Sequence, residues 1–92
     1  MDERFEMLRQ RYRERAAAQL RGLKAALACA DREATASIAH KLSGSGAIFG
    51  FPQVSQLAEA LELAAERGGD GAELRRLAGP LLAELARIAQ AA

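Results

Sequence analysis

The apolar positions Phe5, Leu8, Tyr12, Ala16, Leu20, Leu23 and Leu27 recur at three- and four-residue steps. That spacing predicts an amphipathic helix from Asp2 to about Ala28. Asp31 stands where an N-cap belongs, because its carboxylate can accept from the free amides of a following first turn. A second helix is then expected from about Arg32 to Phe49, closed by Gly50 in a left-handed conformation. Pro52 is preset for the first turn of a third helix. Val54, Leu57, Ala58, Leu61 and Ala65 form its apolar side, with Gln53, Ser55, Gln56, Glu59, Glu62 and Glu66 mostly opposite. Gly68-Gly69 ends it. Asp70, with Glu73 three residues on, has the form of a capping box opening a last helix along Leu74, Leu77, Leu81, Leu85 and Ile88. Gly79-Pro80 should kink or split that helix. Four amphipathic segments with short connections predict one all-α domain over residues 1–92, an antiparallel four-helix bundle. The length of the first helix leaves room for a short separate N-terminal helix.

Composition agrees and narrows the choice. At 92 residues the chain supports one modest core. Only Thr35, Ile38, Ile48, Val54 and Ile88 are β-branched, so strands are disfavoured. A single cysteine, Cys29, permits no internal disulfide and is expected to be a small packing residue near the end of helix one. No apolar leader or membrane span is visible, so a cytoplasmic protein is expected. The net charge is +1 and there are four aromatic residues, which argues against nucleic-acid binding. Residues 1–30 carry seven Lys/Arg against four Asp/Glu, and residues 31–69 carry three against five. Arg4, Arg9, Arg11, Arg13, Arg15 and Arg21 fall largely off the apolar stripe of helix one. With Glu3, Glu6 and Glu14 interleaved, they read as a solvated face rather than a membrane-binding one.

The candidate chemistry lies at His40. At about 100° per residue, Thr35, Ile38, Leu42 and Phe49 lie on the opposite side of its helix, so the imidazole should face outward. Its neighbours on that face, Ala36, Ser37, Ser43, Gly44 and Ala47, are all small. Glycine inside a helix costs about 1 kcal/mol relative to alanine. A bundle gains nothing from Gly44 on an exposed face, whereas close approach by another molecule explains it; Gly46, set to the side, fits the packing of a neighbouring helix. A neutral imidazole is a nucleophile able to take a phosphoryl group. Such transfer needs in-line positioning and usually Mg²⁺. With no carboxylate cluster, P-loop or second histidine, the metal and acidic pocket are expected from a partner.

The run Ala39-His40-Lys41-Leu42-Ser43-Gly44-Ser45-Gly46-Ala47-Ile48-Phe49-Gly50-Phe51-Pro52, continuing to Leu61-Glu62, resembles the signature of histidine-containing phosphotransfer (HPt) domains. Leu42, Gly44, Ser45, Gly46 and Gly50 match that pattern. The resemblance implies a monomeric four-helix carrier, not an enzyme, with no cofactor of its own. His40 would accept a phosphoryl group from a receiver-domain aspartate or a hybrid sensor histidine kinase and pass it to a response regulator. Mg²⁺ would come with the receiver domain. Where the family often has a lysine three residues after the histidine, this chain has Ser43; Lys41, about 100° around the helix, is either a substitute that bends back or a solvated charge. The expected docking surface is Ser37, Lys41, Ser43, Gly44, Ala47 and Ile48. The alternative is an HPt-like adaptor that binds receiver or kinase domains without carrying phosphate. A sensor-kinase dimerisation pair is less fitting, since Lys41-Leu42 follow the histidine and four helical segments occur in one chain.

Overall fold

The computed structural model describes residues 3–91, and they form four helices: α1 (Glu3–Ala28), α2 (Arg32–Ile48), α3 (Pro52–Glu66) and α4 (Gly71–Gln90). The expected helix start at Asp2 lies outside the described residues. Connections of three or four residues reverse the chain each time. α2 packs on α1 and α3, and α4 closes the ring against the same two helices. The result is an antiparallel bundle measuring 42 × 20 × 17 Å.

Each reversal has a local cause. Gly50 adopts φ +84° and Gly68 φ +86°, and the backbone amides of Phe51 and Gly69 donate to the carbonyls of Gly46 and Ala64. These bonds satisfy carbonyls that a helix end otherwise leaves unpaired. Ala30 plays the same part after α1 at φ 53°, with the Asp31 amide donating to the Ala26 carbonyl. Asp31 and Asp70 then cap α2 and α4 by accepting from the amides of Ala34 and Glu73. Pro52 opens α3.

The core is built from Ala16, Leu23 and Leu27 of α1, Ala39 and Leu42 of α2, Val54, Ala58 and Leu61 of α3, and Leu74, Leu81, Leu85 and Ile88 of α4. Alanines between the leucines let the helices approach closely. Thr35, buried among them, satisfies its hydroxyl by donating to the Asp31 carbonyl at 2.9 Å.

Several expectations are corrected. α1 is continuous from Glu3, so no separate N-terminal helix occurs among the described residues. α4 runs through Pro80 as one helix, so of the two outcomes expected at Gly79-Pro80 the split does not occur. Pro80 and Arg76, whose carbonyl loses its i+4 donor there, are both exposed, so water can take the missing partner's place. Glu73 does not complete a capping box; its carboxylate pairs with Arg67. Cys29 is exposed rather than packed. Leu8, on the expected stripe, is also exposed, at 42%. Arg9 and Arg13 are not part of a solvated face. Arg9 Nε donates to the Phe49 carbonyl at 3.2 Å, and both guanidiniums lie over the Phe51 ring, 4.7 and 5.9 Å from its centre. The aromatic cluster of Tyr12, Phe49 and Phe51 thus ties α1 to the α2–α3 turn.

Candidate functional site

α2 presents His40 and α3 fixes it. The two helices are drawn together at Gly46, where a Cβ would lie 2.8 Å from the Ser55 amide nitrogen and 3.0 Å from the Phe51 carbonyl oxygen. One turn further from the connection, Ser55 Oγ donates to the Ser43 carbonyl at 2.7 Å. Continuing down the pair brings Glu62 beside His40. Its Oε2 lies 2.7 Å from His40 Nδ1.

That contact orders the ring. An ionised carboxylate only accepts, so Nδ1 carries the proton and donates to Glu62. In the neutral imidazole the lone pair is then on Nε2, the nitrogen farther from the backbone. The His40 side chain is 76% exposed and that of Glu62 only 16%. Glu62 is therefore the held member of the pair and the histidine the presented one. Ala36, Ser37, Lys41 and Glu66 complete a shallow, open depression around them.

The strip of small residues is there but is rotated from its expected centre. Ser37, Gly44 and Ala47 are exposed, and nothing lies within 4 Å of a Cβ built on Gly44. Ile48 is exposed at 69%. Ser43 and Ala36 are only half-exposed, on the side of the helix that turns toward α3. The open face is thus centred about 40° from His40 toward α1. Lys41 is exposed on that far side and borders a groove shared with Tyr12, Arg15 and Gln19. Ile38 and Phe49, expected in the buried face with Thr35 and Leu42, are half-buried.

A family model for the Hpt domain matches residues 7–91. The chain belongs to the Hpt domain family. No curated protein and no solved structure gives a significant match. Membership makes this a module of histidine phosphotransfer relays, whose members carry phosphoryl groups between two-component kinases and receivers rather than acting as catalysts themselves. Among the described residues of this Hpt domain, no group of three His, Cys, Asp or Glu side chains could hold a metal ion, and no helix is long and apolar enough to cross a membrane.

Glu62 is the partner of His40 that periodicity did not reveal. On a helical wheel it counts only as part of the polar side of α3. The signal was the hairpin itself: His40 and Glu62 stand eleven residues before and after Phe51, at the centre of the turn. An antiparallel pair folded there brings them to the same level.

Proposed function

We propose that His40 is the phosphoacceptor of this domain, taking a phosphoryl group from a receiver-domain aspartate or a kinase and delivering it to a response regulator. The observation that carries this is the Nδ1-to-Glu62 hydrogen bond on an otherwise exposed ring. It supports a neutral tautomer with its nucleophilic nitrogen outward. The Nε2 lone pair forms the new P–N bond as the P–O bond to the donor's carboxylate breaks, and that bond's electrons leave with the carboxylate. Nδ1 keeps its proton, so the phosphorylated ring is cationic. The Glu62 carboxylate beside it offsets that charge. The open backbone at Gly44 lets a partner surface come close, with Ser37, Ala47 and Ile48 as its contacts and Ser43 at the margin. Ser43 supplies no cation near the phosphoryl group, and Lys41 lies on the α1 side of the ring. Mg²⁺ and the acidic pocket belong, in this reading, to the receiver.

The test is to mix the chain with radiolabelled phosphorylated receiver domains encoded in the same genome. Acid-labile label on the wild type, absent from His40→Gln with unchanged helicity, is the expected result. Retained receiver binding with no label from any receiver would replace the carrier with a phosphate-free adaptor.

A further inference from the structure

The strip that bears His40 lies between two ridges of opposite charge. On α1, Arg11 and Arg15 are exposed and fall on the helical face turned toward α2. Gly22 marks that face, since a Cβ there would lie 3.6 Å from Ile38 Cδ1. Arg15 is near enough to the Tyr12 hydroxyl to act on it electrostatically, and it shares a groove with Lys41 of α2. Arg11, Arg15 and Lys41 thus border the strip on one side. On the other, Glu59, Glu62 and Glu66 follow Ser55 at steps of four, three and four residues. Ser55 and Glu62 both touch α2, which fixes this row along its edge. α3 carries these three carboxylates and no Lys or Arg, whereas α1 carries seven Lys/Arg against three Glu.

Neither ridge is needed by the bundle. Glu59 and Glu66 are exposed, as are Arg11 and Arg15, and surface charges of this kind contribute little to stability. A net charge of +1 conceals the arrangement. Its consequence is directional: a partner settling over His40 meets positive potential toward α1 and negative potential toward α3. Complementary charge acts mainly on encounter rate and on orientation, and it penalises the reversed pose through like-charge contacts.

We propose that these ridges orient the partner, and that the receiver domain docking on His40 carries an acidic rim where it covers Arg11, Arg15 and Lys41 and a basic rim where it covers Glu59 and Glu66. The proposal rests on His40 being the phosphoacceptor. It determines which way round the receiver sits and which receivers are excluded.

The test collapses the dipole without changing the net charge. In the variant Arg11→Gln, Arg15→Gln, Glu59→Lys, the basic ridge loses two charges and the acidic ridge has one carboxylate replaced by an ammonium, so the total stays at +1. The probe is the phosphorylated receiver domain that labels the wild type fastest; phosphoramidate, a small phosphoryl donor with no docking surface, is the control. Transfer from the receiver is expected to fall at least about tenfold at low ionic strength, with the gap closing in high salt. Labelling by phosphoramidate and the melting temperature are expected to stay at wild-type levels. Equal receiver transfer in the two proteins would overturn the orienting role, as would a deficit that persists in high salt. Failure of phosphoramidate to label His40 in the wild type would instead remove the phosphoacceptor reading beneath it.

Discussion

Gly44 and Gly46 sit two residues apart on α2, cost the helix the same intrinsic stability, and face opposite situations. At Gly46 a side chain would run into the backbone of the next helix; at Gly44 it would meet nothing within 4 Å. The first glycine is explained by packing within the molecule. The second meets no internal contact, and close approach by a partner is the explanation proposed above. Residue type alone does not separate them. What separates them is which side of the helix the neighbouring chain occupies.

The largest expected effect is at the closed position. Gly46→Ala sets a methyl group against the Ser55 amide and Phe51 carbonyl, neither of which is a flexible side-chain end that can move aside. Overpacking of this kind costs typically 1 to 3 kcal/mol or more, against a helix-propensity gain of about 1, for a net loss of about 2 kcal/mol. By thermal unfolding, the melting temperature should drop by about 10 °C. An unchanged midpoint would mean that α2 and α3 are not held at this contact.

At the open position the sign reverses. Gly44→Gln should leave the bundle intact or stabilise it by a few tenths of a kcal/mol, while slowing phosphoryl transfer at least about tenfold, equivalent to about 1.4 kcal/mol of barrier. Equal transfer rates in stopped reactions would sink the idea that a partner's backbone needs that space.

Ser45 lies between the two glycines and donates to the Tyr12 hydroxyl at 3.2 Å, joining α2 to α1. Burial raises the Tyr12 pKa above its ordinary value of 10.0, while the Ser45 bond and Arg15 pull the other way. The folded state therefore prefers the neutral phenol. Its contribution is complete below about pH 10 and is lost as pH rises through the folded pKa. Since Tyr12 is the only tyrosine, its ionisation can be followed by absorbance, and the midpoint should lie above 10. Tyr12→Phe should cost about 1 kcal/mol at neutral pH, a difference that narrows above pH 10. A midpoint at or below 10 would contradict the closed packing of the α1–α2 seam.

The smallest effect tests the same logic where glycine is missing. Two helix ends place glycine at positive φ, but α1 ends on Ala30 at φ 53°. A left-handed residue other than glycine costs about 1 to 2 kcal/mol, partly offset by the chain entropy of glycine. Ala30→Gly should therefore stabilise by about 0.5 kcal/mol in urea unfolding. Destabilisation would show that the turn does not strain Ala30.

The comparison also marks what the sequence could reveal. Helix number, both aspartate caps, the turn at Gly50 and the outward direction of His40 were legible because they depend on local chemistry and 3.6-residue periodicity. The centre of the open strip was not. That required knowing that α3 covers the Ser43 side and α1 stands farther off. Arg9 was misplaced for a similar reason, since its partner Phe51 is distant in sequence. Cys29 was misread from its residue type; two residues past buried Leu27, it shares the outer face of the helix with exposed Ala25, whose carbonyl its amide still meets. Glu62 needed two helices considered together. Pro80 shows the limit of a strong local rule: at an exposed position the helix continues through the proline.

The central claim is that Glu62 holds Nδ1 so that His40 offers Nε2. It is tested most directly by phosphorylating ¹⁵N-histidine-labelled chain and locating the P–N bond by ¹⁵N and ³¹P NMR. With one histidine in the chain, the assignment is unambiguous. The account predicts a single phosphohistidine bonded through Nε2, with Nδ1 still protonated. A phosphoryl group on Nδ1, or on a side chain other than His40, would contradict it.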